Sequence, residues 1–166
     1  SLKFSVGGYE MKSHSRYARK LDRKRVLICM IMFFALLPVF SYLHEAGHAL
    51  VCIADGNEAE ISVNFNGGTT LCHGDISNPF PYKISGGLLA GIIGTTIGIA
   101  LFRWKIPFIA LTTIGAGHLV NAVIEAFADS YFTHGAEWSL FLGLVEFVIF
   151  FSLLIIFDRK IVKQND

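Results

Sequence analysis

Four long apolar runs separated by short polar stretches dominate the chain. The first extends from about Val26 to Ala54, between Arg23-Lys24-Arg25 and Asp55-Gly56-Asn57. It exceeds the roughly 20 residues a helix needs to cross a bilayer, so it is expected to tilt or project. Pro38 is a candidate kink within it. The second, about Ile84 to Phe102, carries Gly86, Gly87, Gly91, Gly94 and Gly98, which suits close helix packing in lipid. Arg103-Trp104-Lys105 closes it with an interfacial signature. The third runs from about Pro107 to Ala128, with proline in a permitted first turn. The fourth, about Trp138 to Phe157, is rich in phenylalanine and reads as lipid-facing.

Residues 57–82 break this pattern. Ile61, Val63 and Phe65 alternate with Ser62 and Asn64, and Asn66-Gly67 follows, which together predict a β-hairpin. Asn78-Pro79-Phe80-Pro81 reads as a stiff, extended approach to the second helix. The pattern therefore predicts an all-α polytopic membrane protein with about four transmembrane helices and a short β-hairpin between the first and second. It divides into a basic segment 1–25, a membrane core 26–157 and a polar tail 158–166. No internal repeat or low-complexity segment is visible.

Composition agrees. Of the 166 residues, 53% are hydrophobic and 16% charged, where a soluble domain carries about 25% charged. The net charge of +1 hides an asymmetry. Residues 1–25 hold eight Lys/Arg against Glu10 and Asp22, a local net of +6. Followed directly by a hydrophobic span, this head reads as a lipid-facing flank rather than a nucleic-acid arm. Arg103/Lys105 and Arg159/Lys160/Lys163 fall on the same side of the four-helix arrangement, so both termini are expected to be cytoplasmic. The hairpin and the loop Asp129–Glu137 then lie on the other side. Cys29, Cys52 and Cys72 are odd in number and form no C-x-x-C, which predicts neither a disulfide framework nor a cysteine metal cluster. A cleaved leader is not expected, because the first apolar run is long and carries the motif described next.

That motif is His44-Glu45-Ala46-Gly47-His48, an H-E-x-x-H. On a helix the two histidines stand one turn apart on one face, able to bind a single zinc ion, Zn2+. Glu45 is then placed to take a proton from a metal-activated water. Ionisable groups inside a membrane are costly and mark function. A catalytic zinc needs a third protein ligand and an open position. The third helix offers His118, Asn121, Glu125 and Asp129, whose spacings of three, four and four share one helix face. At about 1.5 Å per residue, His44 and His48 lie roughly 27–33 Å along the first span, and Glu125 and Asp129 as far along the third. His118 on this stripe is most simply a hydrogen-bonding residue between packed helices. His14 and His73 read as solvated, and Ser41 and Tyr42 as packing residues near the motif.

These residues carry a resemblance. Leu43-His44-Glu45-Ala46-Gly47-His48-Ala49-Leu50, the hairpin after it, Ser85-Gly86-Gly87-Leu88-Leu89-Ala90-Gly91, and Asn121 eight residues before Asp129 resemble the site-2 protease family of intramembrane zinc metalloproteases. The likeness covers roughly residues 40–130. It implies that Asp129 is the third zinc ligand and that Asn121 helps hold the substrate carbonyl or the oxyanion. The prolines of the family's second motif are absent, and Ser130 stands where glycine is expected. Glu125-Ala126-Phe127-Ala128-Asp129 also resembles the E-x-x-x-D of another zinc protease group, in which the glutamate binds metal. Glu125 is therefore an alternative ligand, with His134 and Glu137 behind it. The implied activity is hydrolysis of a transmembrane protein or peptide, with Glu45 as general base and the hairpin offering a strand edge to the unwound substrate. The rival reading is a non-proteolytic metal-binding membrane protein, either a metal carrier or a scaffold for transmembrane partners.

Overall fold

The computed structural model describes residues 17–21, 23–64, 67–128, 131, 135–157 and 159–163. Its elements in chain order are β1 (Tyr17–Leu21), α1 (Arg23–Ala54), β2 (Glu58–Asn64), β3 (Gly67–His73), α2 (Pro79–Ala100), α3 (Lys105–Phe127), α4 (Gly135–Phe157) and β4 (Arg159–Lys163). All four helices are long and apolar enough to cross a membrane. Among the described residues the protein is thus a four-helix membrane protein with an antiparallel hairpin, β2–β3, between α1 and α2.

α2 starts several residues before the expected boundary. Asn78 caps it by accepting a hydrogen bond from the Phe80 amide, and Pro79 occupies the first turn. Proline fits there because the first amides of a helix have no internal partner. The segment expected to be an extended approach is therefore helix from Pro79 onward. A second departure is the disulfide between Cys52, near the end of α1, and Cys72 on β3. An odd cysteine count says nothing about which pair the fold brings together. Here the hairpin folds back on α1 and sets the two Cα atoms 5.8 Å apart. A third is the antiparallel pairing of β1 with β4, which joins the basic segment to the polar tail. Four spans return the chain to its starting side, so the two ends can meet.

α2 and α3 share the most extensive helix contact. Gly87 lies against the backbone of Ala122, Gly94 against Gly115, and Gly98 against Thr112, each with no room for a β-carbon. The glycines of α2 thus act as close-packing surface, as expected in lipid. α1 crosses α2 equally closely, with Gly47 against the Ser85 carbonyl and Gly86 against the His48 ring. Two apolar clusters complete the interior. Phe40, Ala90, Leu111 and Ile114 join α1, α2 and α3, while Cys29, Ile109, Phe150 and Leu154 join α1, α3 and α4.

Candidate metal centre

His44 and His48 fall one turn apart on α1 and are both buried. Their Nε2 atoms lie 3.1 Å from each other. Glu125, buried on α3, brings Oε1 within 3.1 Å of His44 Nε2 and Oε2 within 3.6 Å of His48 Nε2. This is the depth match between first and third spans that helix rise requires. Glu125 Oε2 is buried with no hydrogen-bond partner. Two imidazoles and an unsatisfied carboxylate oxygen facing one point are what a cation needs. A tetrahedral ion with bonds of about 2.0–2.2 Å has donor–donor edges of about 3.3–3.6 Å. The two histidine nitrogens are 3.1 Å apart, and Glu125 approaches one through Oε1 at 3.1 Å and the other through Oε2 at 3.6 Å, two of these three separations a little shorter than such edges. His44, His48 and Glu125 could therefore hold a metal ion.

Neighbouring groups orient these ligands. His48 Nδ1–H donates to the Tyr82 carbonyl at 2.7 Å, which leaves the Nε2 lone pair facing the site. Ser85 donates to the same carbonyl at 2.9 Å. His44 Nδ1 faces His118 Nδ1 at 3.3 Å, so His118 braces the ring of a candidate ligand as well as joining helices. The Asn121 amide donates to Glu125 Oε1 at 3.1 Å. Its contact is thus with a ligand carboxylate. Tyr131 is hydrogen-bonded with Asn121 and Glu125, and burial beside that carboxylate raises its phenol above the ordinary range. Its hydroxyl keeps its proton and remains a donor.

Glu45 borders the same space. A cavity of about 350 Å³ is lined by the three ligands together with Glu45, Tyr82, Tyr131 and residues 68–70 of β3. The Thr70 hydroxyl is within hydrogen-bond distance of both the Glu45 carboxylate, at 2.7 Å, and the Glu45 carbonyl, at 2.9 Å. Gly68 lies so close to the Glu45 side chain that a β-carbon there would collide with it. The hairpin therefore forms one wall of the cavity, and the disulfide ties that wall to α1.

Of the residues the sequence nominates, His44, Glu45, His48, Asn121 and Glu125 converge, with His118 behind His44. Asp129 and His134 lie outside the described residues, as does His14. Glu137 is exposed in the first turn of α4. His73 is exposed on β3, 3.9 Å from Glu60. Sequence reasoning missed Thr70, Tyr82 and Tyr131. Only Tyr82 left a usable trace, since a cap at Asn78 with proline after it places residue 82 in the first helical turn.

Comparison of the chain with protein-family models, with curated proteins and with solved structures finds no match.

Proposed function

We propose that the protein is an intramembrane zinc endopeptidase acting on transmembrane protein or peptide substrates. The observation that carries this reading is the convergence of His44, His48 and Glu125 with the Glu45 carboxylate on the wall of the same cavity. A site that served only to store a metal has no need of that fourth group. The two-nitrogen, one-oxygen donor set suits zinc, held by His44, His48 and Glu125. When bound, such an ion supplies Lewis acidity, acidifying a water and polarising a carbonyl.

The chain's own residues supply the rest. Glu45 takes the proton of the attacking water and returns it to the departing amine. Thr70, hydrogen-bonded to the Glu45 carboxylate, fixes its orientation. Tyr131, protonated and on the cavity wall, can turn its one hydroxyl hydrogen from Glu125 to the carbonyl oxygen as it becomes anionic. β3 runs past Glu45 and offers backbone groups to a locally unwound substrate strand. Asp129, one turn beyond Glu125 in sequence, is the competing third ligand. The orientation we favour puts the hairpin end outside. The disulfide suits an oxidising compartment, while Arg23, Lys24, Arg25, Arg103 and Lys105 cluster at the other end.

The test compares the wild type with Glu45→Gln, reconstituted with a model transmembrane substrate. The reading expects metal content to be retained and cleavage to fall by at least about 100-fold. Cleavage unaffected by the change overturns the mechanism. Metal bound by a wild type that cleaves no transmembrane helix would point to the carrier or scaffold reading instead.

A further inference from the structure

A second ionisable group lies inside the membrane region, away from the metal centre. Glu146 stands at the midpoint of the 23-residue α4, where Val145, Phe147 and Val148 surround it in sequence. It is half-buried against Gly117 of α3, where a β-carbon would collide with its side chain. None of the described residues pairs with its carboxylate. An ionised carboxylate without a partner is expensive at mid-membrane depth, and a cation within reach would offset that cost.

Glu146 also lines a cavity of about 330 Å³ between α1 and α4, walled by Phe33, Phe34, Leu37, Phe147 and Phe150. Gly143, one turn before Glu146, widens it, since a side chain there would meet nothing within 4 Å. The volume is at the low end for ligand cavities. It suits a long side chain rather than a whole helix. The cavity is also aligned with the metal centre. Leu37 and His44 lie seven residues apart on α1 and share a face, as do Phe34, Ser41 and His48. Gly117, Asn121 and Glu125 form the matching row on α3. Helix rise puts Glu146 about 12 Å from the metal ligands along the bundle.

We propose that this cavity receives a lysine or arginine side chain of the transmembrane substrate, with Glu146 as its counter-ion. The proposal rests on the peptidase reading for calling the occupant a substrate and for the position of the cleaved bond. A helix lying along the α1–α4 cleft presents its basic residue to Glu146 and its upper end to the metal centre. Substrates are then selected for a cation about 12 Å from the cleaved bond, toward the basic end of the bundle.

The test reads association, so that nothing depends on turnover. The full chain carrying Glu45→Gln is dye-labelled and reconstituted in phosphatidylcholine vesicles. Leucine-based helices of about 20 residues, with either Lys or Leu at the centre, are the probes. Energy transfer is expected to show the Lys helix associating about three- to tenfold more tightly. Adding Glu146→Gln should level the two probes. Gly143→Leu, which fills the cavity while leaving the carboxylate in place, should do the same. Equal association in the protein that retains Glu146, or a preference that survives either substitution, overturns the proposal. If Glu146→Gln fails to insert, Gly143→Leu decides alone. A Lys preference in a protein whose wild type cleaves nothing would refute the peptidase reading and keep the pairing. Cleavage without the preference would refute only the pairing.

Discussion

α3 and α4 are equally long, at 23 residues each, yet they face opposite surroundings. In the most apolar stretch of α3 the mean hydropathy is 1.5 and 56% of residues are buried. In α4 the mean hydropathy is 2.8 and 11% are buried. The less hydrophobic helix is the interior one. In water the ranking would be reversed. In lipid no hydrophobic force gathers large apolar side chains, so close packing and polar pairing decide which helix goes inside. α3 accordingly buries Thr113, Gly115, Gly117, Asn121 and Glu125. α4 turns Leu140, Leu144, Phe147, Val148 and Ile156 outward. Site chemistry and interior packing thus select the same helix.

The largest test of this contrast compares two glycines. Gly115 on α3 touches the α2 backbone at Gly94 and Thr95, whereas Gly143 on α4 has open space around it. Gly115→Leu should separate α2 from α3 and cost about 3 kcal/mol, seen as a lower melting temperature in detergent and as lost metal. Gly143→Leu should be neutral or stabilising by up to about 1 kcal/mol, because leucine favours the helix more than glycine. Equal effects of the two would break the comparison.

A smaller effect is expected at the polar stripe of α3. His118→Ala removes the partner of His44 Nδ1 and should weaken metal binding about 10- to 100-fold, measured by competition with a chelator. Unchanged affinity would reduce His118 to a packing residue.

The smallest pair concerns apolar side chains. Ile114, fully buried on α3, should lose about 2 kcal/mol on truncation to alanine, since a void costs contacts even where no transfer from water is involved. Leu140, 78% exposed on α4, should lose no more than about 0.5 kcal/mol in a bilayer. Thermal scans in vesicles of matched thickness separate the two. A larger loss at Leu140 would mean that α4 is covered by protein rather than lipid.

Much of this arrangement is legible from residues alone. The four spans, the hairpin and the partnership of first and third spans follow from hydropathy, alternation and helix rise. The start of α2 is misread because proline signals both an extended chain and a first helical turn, and only the Asn78 cap separates them. The Cys52–Cys72 bond needs the hairpin's return path, which no spacing rule supplies. The choice between Glu125 and Asp129 is open in the sequence because both fall on one helix face. The structure brings Glu125 to the histidines because α3 remains helical through Phe127. Glu146 is hidden in a phenylalanine-rich run that reads as uniform lipid surface.

X-ray absorption at the metal edge of the purified protein tests the central claim most directly. One ion per chain is expected, bound to two imidazoles and a carboxylate at about 2.0–2.2 Å, with the carboxylate lost in Glu125→Ala and kept in Asp129→Ala. A coordination shell unchanged by Glu125→Ala, or a metal-free protein of full activity, would contradict it.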